Sequence, residues 1–339
     1  MISNFKIILL IFIIFFIIFM YKKKKKNHLM DKNFFVNCPT EFEKIYNELC
    51  KNKITILEKE RRYIILFYFL ISLIILLLLL NFTVFNKSLI FINILFIIAF
   101  ILIISKKERK YISIYKKEVL NSFIKLIDNN LEYKTENIDS QTIKFDYKSA
   151  NFSNESFNVF KVDDYIFGML NNEIYTQMSD LHLQRKEEYY SDGETKENII
   201  EVFQGIYSKT ECSKDIKTSI KILKNRFKIF ENENKIEMDS QEFEKYFDIY
   251  SEDKILTMRL LTSDIMTTLV DFYNKYHINY EIVINCRQIH MRFFTGPMFE
   301  PKIFGNSMDK KLLLEYFYIL KFVVDVTNEI NTALNEIEI

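Results

Sequence analysis

Two long apolar runs separated by a short polar segment constrain this chain more than any other feature. The runs extend from Tyr63 to Leu80 and from Ser88 to Ser105, with NFTVFNK between them. As a helix rising ~1.5 Å per residue, each run covers about 25 Å or more of hydrocarbon. Neither contains a charged residue, and a charge at the bilayer centre costs ~3 kcal/mol. The pattern predicts a transmembrane helical hairpin over 63–105.

Basic residues flank the hairpin on its outer sides. The short connecting segment carries only Lys87, whereas the outer flanks carry Arg61, Arg62, Lys106, Lys107, Arg109 and Lys110. The positive-inside rule therefore predicts that both outer ends face the cytoplasm. Because neither run contains an acidic residue, no proton relay or ion path is indicated. The helices are predicted to anchor the chain and not to transport a solute.

A third apolar segment opens the chain. Residues 7–20 are apolar, and a lysine cluster follows at 22–26. A secretory signal has the opposite order, with its charge before the apolar run. The order predicts an N-terminal transmembrane anchor over 1–21 with its N-terminus outside. A hydrophobic helix lying on the membrane surface is the alternative.

Helical segments are predicted on both sides of the hairpin. Residues 22–62 are expected to form a cytoplasmic basic segment and then a helix, for which Thr40 and Glu43 can make a capping box. Residues 106–135 are expected to form a juxtamembrane stalk helix, because Ile112, Tyr115, Val119, Phe123 and Ile127 recur at helical spacing. The stalk either packs on its neighbour or presents a basic face to anionic lipid through Lys106, Lys107, Arg109, Lys110, Lys116 and Lys117.

From about residue 145 the apolar pattern changes to a period near two. FNVFKVDDYIFGML, EIYTQMSDLHLQRK and ENIIEVFQGIYSKT alternate in this way, and Asp192 with Gly193 gives a hairpin turn between the last two. A further hairpin is predicted at YEIVINCRQIHMRFF, and a helix closes the chain. The predicted fold class is α+β: a cytoplasmic domain over 145–339 of mainly antiparallel strands with covering helices.

Composition and motifs argue against several function classes. Lys plus Arg (46) nearly balances Asp plus Glu (45), so no basic field favours nucleic acid. The four cysteines are scattered without a CxxC pair, which disfavours zinc and disulfides and suits a cytosolic environment. GxSxG, GxxxxGK[ST], HExxH and GxGxxG do not occur. The sequence predicts no enzyme, cofactor or metal.

Two residues are candidate contacts for a ligand or partner in the C-terminal region. Asp164 is one of several acidic residues dispersed over the predicted strands. Such residues more often lie on solvent-exposed strand faces than in a functional site. Arg259 follows a stretch whose aromatic residues are predicted to lie mostly in the core. A buried arginine must be paired, whereas one that opens to a groove can hold an anion. His290, four residues after Cys286, is expected to pack or lie at the surface and not to bind metal.

Several segments together resemble a known family. ILEKERRY, YKKEVLNSFIKLI, DDYIFG, VFQGIY, EFEKYFDIYSED, MRLLTSDIM and MFEPKIF occur in this order between about residues 40 and 330. With the paired apolar runs, they resemble a bacterial membrane protein family of unknown function, domain of unknown function (DUF) 3137. The resemblance implies a cytoplasm-facing module at the bacterial inner membrane, with a LemA-like membrane protein as a candidate partner. It implies no activity, substrate or cofactor. Ser263 stands where the family more usually has proline.

These observations predict a membrane-anchored, cytoplasm-facing interaction or scaffold module. Its expected partners are the lipid bilayer and a membrane or cytoplasmic protein, without nucleic acid. A lipid-binding or small-anion-binding domain tethered at the membrane is the alternative. An unrecognised enzyme is the third hypothesis, and it requires a cleft where polar groups converge around Arg259, Asp164 or His290.

Overall fold

The computed structural model describes residues 39–83, 87–153, 156–170, 174–191, 194–225, 234–306 and 308–337. Side chains are described within these ranges except at 52–54, 76–83, 87–90 and 191. The predicted anchor over 1–21 and the basic segment that follows it lie outside the described residues.

Two long helices open the described chain, shorter helices and the strands follow, and a long helix closes it. The helices are α1 Thr40–Thr83, α2 Lys87–Ile114, α3 Asn121–Ile127, α4 Ser140–Ala150, α5 Gln241–Glu244, α6 Lys254–Leu260, α7 Ser263–Tyr276 and α8 Lys310–Glu336, with a π-helical segment Tyr115–Leu120 between α2 and α3. The strands are β1 Leu131–Lys134, β2 Val159–Leu170, β3 Ile174–Ser191, β4 Glu194–Lys224, β5 Lys235–Ile236, β6 Phe247–Tyr250 and β7 Tyr280–Phe293.

The described residues fall into two compact units. The helical unit comprises Pro39–Phe123 and Glu300–Leu313. The α+β unit comprises the described residues of Ile124–Phe299 and those from Leu314 onward.

In the helical unit, α1 and α2 pack side by side. The rings of Phe67 and Phe100 lie 5.6 Å apart. Glu60 of α1 accepts a hydrogen bond from Lys110 of α2, with Nζ and Oε1 2.6 Å apart. The Glu43 N–H donates to the Pro39 carbonyl, so Thr40 is the first helical residue and not the cap that the sequence suggested.

The predicted transmembrane hairpin falls on the second half of α1 and most of α2. Among the residues that the structure describes, no helix is both long and apolar enough to cross a membrane. The side chains of residues 76–90 lie outside this description. The hairpin over 63–105 is thus not supported by the structure and stays a prediction.

The region predicted as one stalk helix over 106–135 is divided. It is helical through Ile127, with the π-helical segment within it, and residues 131–134 instead form strand β1. The apolar stripe is confirmed at Tyr115, Val119 and Phe123, which are buried.

The α+β unit is built on an antiparallel sheet. The strand order is β1-β2-β3-β4-β6-β5, and β7 also pairs with β4. Ser191 pairs with Glu194, which confirms the predicted hairpin of β3 and β4, although its two turn residues lie outside the described ranges. The predicted hairpin at 280–294 is wrong, because Tyr280–Phe293 is one strand. The α+β class with antiparallel strands is confirmed.

Helix α4 is fixed on one face of this sheet by apolar and polar contacts. Its Ile143, Tyr147 and Ala150 belong to a core cluster that includes Leu181, Leu183, Phe203, Tyr207 and Val283. The Asp146 carboxylate accepts from Gln177 Nε2 and Lys209 Nζ, at 2.7 and 2.8 Å. The C-terminal end of α4 is thereby held in a defined place over β4 and β7.

Candidate functional site

A polar cavity of about 730 Å³ lies beside the C-terminal end of α4 in the α+β unit. Three of its lining residues are lysines of β4, and the others are mostly hydroxyl and amide residues from α4, β4, β6, β7 and the loops that adjoin them. The lining includes Lys217, Lys221, Lys224, Ser153, Thr218 and Asn285.

The cavity forms where the pairing of β4 with β7 is irregular. Ile216 pairs with Cys286 and Ile220 with Ile284, so four steps along β4 match two steps along β7. Such β-bulges leave the extra residues outside the ladder and bend the strand. Residues 217–219, which lie between Ile216 and Ile220 on β4, line the cavity. Cys286 has a φ of 49°, in the left-handed region that few non-glycine residues adopt.

Donors from both strands meet the end of α4. Lys221 Nζ donates to the Asn151 carbonyl at 2.7 Å, and Asn285 Nδ2 donates to the Ser149 carbonyl at 3.2 Å. The last carbonyls of a helix have no partner within it, so these donors satisfy groups that would otherwise face solvent. Burial lowers the pKa of Lys221. The lysine is therefore partly desolvated at the wall of the cavity.

A buried ion pair lies under the same segment. Arg292 Nε lies 2.6 Å from Glu281 Oε2, and Arg292 Nη1 donates to Tyr147 Oη at 2.8 Å. The side chains of Arg292 and Glu281 are 1% and 2% exposed. The guanidinium lies 4.8 Å from the Phe152 ring centroid, a cation–π contact. Glu281 is thus compensated by Arg292.

A second, smaller cavity adjoins this ion pair. Its volume is about 220 Å³, and Arg292 contributes to its lining. It shares residues Asn151, Phe152 and Ser153 with the larger cavity. The segment after α4 therefore separates two polar cavities.

His290, which the sequence placed near Cys286, is also buried. Its Nδ1 lies 2.8 Å from Tyr207 Oη. Burial lowers the pKa of His290 to about 4. The imidazole is therefore neutral near pH 7 and belongs to the core, while Cys286 is exposed.

The structure places the two candidate residues of this unit differently from the sequence prediction. Asp164 is buried and accepts a hydrogen bond from Tyr133 Oη, so the expectation of a solvated strand face is wrong for it. Arg259 is exposed in the last turn of α6 and lines neither of the two cavities. The buried, paired arginine is Arg292, which the sequence did not single out.

The four basic residues after the apolar runs do not form one open basic face. Lys107 and Lys110 both lie near the Glu60 carboxylate, at 3.6 and 2.6 Å. The hydrogen bond from Lys110, with a further contribution from Lys107, lowers the pKa of Glu60. Arg109 Nε donates to the Ser105 carbonyl at 3.2 Å, and Lys106 is exposed. Two of the four thus join α1 to α2.

The family comparison covers the segment that contains the three cavity lysines and Arg292. Residues 201–332 match the family described as "Protein of unknown function (DUF3137)". The match confirms the predicted family resemblance over these residues. Helices α1 and α2 lie outside the matched range.

Comparisons with curated proteins and with solved structures do not identify a function for the chain. No curated protein matches the chain. A solved structure titled "crystal structure of the mycobacterial trehalose monomycolate transport factor A, TtfA" is similar over 60% of this chain and 86% of that chain, with 7% identity and a TM-score of 0.33. A likeness at this TM-score carries no argument about function.

Proposed function

We propose that this protein is an interaction or scaffold module that its helical unit holds at a lipid bilayer, with the α+β unit in the cytoplasm. The observation that carries the proposal is the surface of α2. Between residues 91 and 103, its large apolar side chains are 40% to 66% exposed, namely Phe91, Ile92, Ile94, Leu95, Phe96, Ile98, Ile101, Leu102 and Ile103.

These side chains cover every side of α2 except the one that packs on α1, where Phe100 contacts Phe67 and Ile104 is buried, and together they are too broad for one stripe. A helix that packs on a protein core shows one apolar stripe, whereas a helix that is apolar all round needs an apolar environment on every side. Exposed apolar patches of this extent mark membrane or protein contact sites. Lipid hydrocarbon supplies the all-round environment that a single protein partner does not.

The basic residues next to the apolar segments support the cytoplasmic orientation. Arg61, Arg62, Lys106 and Arg109 follow the bias that retains positive charge on the cytoplasmic side. Anionic lipid on that side attracts basic segments next to the membrane. The proposed location is the inner face of a bacterial cytoplasmic membrane.

The β3–β4 hairpin supports the interaction role. β2 pairs with β3 as far as Gln184, and in the described residues β3 and β4 continue alone to Ser191 and Glu194 as a two-stranded arm. Tyr190 on this arm is 76% exposed. Tyrosine is enriched at protein interfaces. A membrane or cytoplasmic protein is the proposed partner of this arm, with a LemA-like protein as the candidate that the family resemblance suggests.

Flotation with phosphatidylcholine vesicles tests membrane attachment. The chain is made with and without residues 1–38, so that the predicted anchor can be assessed separately. The parent chain that starts at Pro39 is expected to float with the vesicles. The double variant Phe96→Lys, Leu102→Lys of the same chain is expected to remain at the bottom of the gradient. Phe145→Lys is the matched control, because Phe145 is 73% exposed in the α+β unit. Flotation of the double variant at the parent level would refute attachment through α2.

In-cell photo-crosslinking tests the partner. A benzophenone amino acid replaces Tyr190 in one full-length variant and Phe145 in the control. We expect a discrete protein adduct from position 190 and none from 145. The same adducts from both positions, or none from either, would contradict a role for the arm.

A further inference from the structure

The charges that line the larger cavity of the α+β unit do not balance. Among the described residues that line it, Lys217, Lys221 and Lys224 contribute three positive charges, and Glu252 and Glu281 two negative charges. Glu281 is already paired with Arg292. The three lysines therefore share the cavity with one carboxylate that is not engaged by the arginine.

Lys221 has unused hydrogen-bonding capacity at this cavity. Its ammonium can donate three hydrogen bonds, and the described residues accept one of them, at the Asn151 carbonyl. Burial removes water from this group, which disfavours its charged form and lowers its pKa. A bound anion would offset that desolvation.

The remaining lining has the chemistry of a hydroxyl-binding surface. Ser153, Ser219 and Tyr250 carry hydroxyl groups, and Asn285 carries an amide. The Oγ1 atom of Thr218, another lining residue, is buried without a hydrogen-bond partner among the described residues. Buried polar groups are normally hydrogen-bonded, so such an atom calls for an explanation.

The size of the cavity indicates an organic ligand. Its volume of about 730 Å³ lies within the range of small-molecule sites, which is roughly 300–1,000 Å³. An inorganic phosphate ion fills only a small part of this space. Lysines suit phosphate as point charges, and the hydroxyl and amide groups suit a polyol.

We propose that this cavity binds a phosphate ester that also carries hydroxyl groups, with Lys217, Lys221 and Lys224 holding the phosphate. The ligand chemistry is that of glycerol phosphate, which occurs free and as a phospholipid headgroup. The proposal goes beyond membrane attachment, since it concerns the α+β unit and can be tested on detergent-solubilised protein.

Calorimetric titration of the full-length protein in a nonionic detergent tests the free ligand. The probes are glycerol 3-phosphate, inorganic phosphate and uncharged glycerol. We expect saturable binding of glycerol 3-phosphate, weaker binding of inorganic phosphate and none of glycerol. Lys217→Met with Lys224→Met is expected to weaken binding about tenfold or more. Lys254→Met is the matched control, because Lys254 is an exposed lysine at the first residue of α6.

Native mass spectrometry tests the headgroup as the source. The protein is extracted from membranes of phosphatidylcholine with phosphatidylglycerol, and retained lipid is counted for the parent and both variants. If the Lys217→Met, Lys224→Met variant lost phosphatidylglycerol while the parent and the Lys254→Met control retained it, the result would support the proposal and identify the ligand as a lipid headgroup. The thermal unfolding midpoint of each variant checks that the fold persists. If the Met variant unfolds, Lys217→Gln with Lys224→Gln removes the same charges with polar side chains and is expected to show the same loss of binding.

Either lysine-dependent result supports the proposal and identifies the source. The proposal would be overturned if the parent neither bound glycerol 3-phosphate nor retained lipid. It would also be overturned if both properties were unchanged in the Met variant. Membrane attachment is measured separately by flotation, so its failure would not be confused with failure of the anion site.

Discussion

Arg292 and Glu281 form a buried ion pair, in which Arg292 Nη2 lies 2.5 Å from Glu281 Oε2. Another nitrogen of the guanidinium, Nη1, donates a hydrogen bond to Tyr147 Oη. Glu281 contributes to the larger cavity and Arg292 to the smaller one. The pair connects β7 to α4 through Tyr147. It therefore helps to hold the segment that separates the two cavities.

Breaking this pair from one side is expected to destabilise the α+β unit strongly. Arg292→Met leaves Glu281 buried without its cation, and removing one partner of a buried pair costs about 3–5 kcal/mol. Arg292→Met with Glu281→Met is expected to recover much of that loss. Urea unfolding of the full-length protein, followed by tyrosine fluorescence, measures both variants, with Lys254→Met as control. Equal stabilities of the single variant and the parent would contradict the burial of the pair.

Gly205 is expected to tolerate no side chain. A Cβ at this position would lie 1.9 Å from the Phe293 carbonyl oxygen. Forced overpacking costs about 1–3 kcal/mol, and backbone atoms cannot rotate away as a side chain does. Gly205→Ala should lower the thermal unfolding midpoint. Gly296→Asn is the control, because the space around Gly296 is open and asparagine tolerates its φ of 69°. A midpoint unchanged by Gly205→Ala would show that β4 and β7 lie further apart.

His290 is expected to make stability depend on pH under acidic conditions. Burial lowers its pKa from 6.5 to about 4, with Lys209 adding to this lowering and Asp146 opposing it. Between these values the unfolded chain binds the proton more readily, so stability falls as the pH drops, by roughly 1 kcal/mol for each pH unit. Above about pH 6.5 the contribution is complete.

Unfolding midpoints measured from pH 7 to pH 4 test this sign. His290→Gln should flatten the profile over that interval. His182→Gln is the control, because His182 is partly exposed beside Glu201. An unchanged slope in His290→Gln would mean that the imidazole is accessible to solvent.

The cysteines of β4 and β7 are expected to react at very different rates. Cys212 is 3% exposed, and burial raises the pKa of its thiol to about 12, so little thiolate forms near pH 7. Cys286 is exposed. With Cys38 and Cys50 replaced by serine, one maleimide per chain should add quickly, and Cys286→Ser should abolish that addition. Rapid labelling of Cys212 in the native protein would contradict the described core.

Alternation in the sequence predicted strands β2, β3 and β4, and it failed where a bulge changes the phase. Val162 pairs with Leu181 and Tyr165 with Ser179, so β2 holds one extra residue at this point. Asp163 is exposed and Asp164 buried as a result. A bulge depends on the partner strand, which local periodicity does not describe.

The candidate site was hidden from the sequence for the same reason. Lys217, Lys221 and Lys224 are ordinary members of a lysine-rich chain until β4 is paired with β7. The YEIVINCRQIHMRFF segment resembled a hairpin because its polar centre interrupts two apolar stretches. The structure keeps it as one strand, with the irregularity taken up at Cys286. The Arg292–Glu281 pair joins the two apolar stretches of that strand and gave no local signal.

The most direct test of the account asks where Cys286 lies in the cell. Bacteria that express the full-length protein with Cys38 and Cys50 replaced by serine are converted to spheroplasts and treated with a membrane-impermeant maleimide, before or after lysis. We predict that the protein sediments with membranes and that Cys286 is modified only after lysis. Recovery in the supernatant, or modification of Cys286 in intact spheroplasts, would contradict a module held at the cytoplasmic face of the membrane.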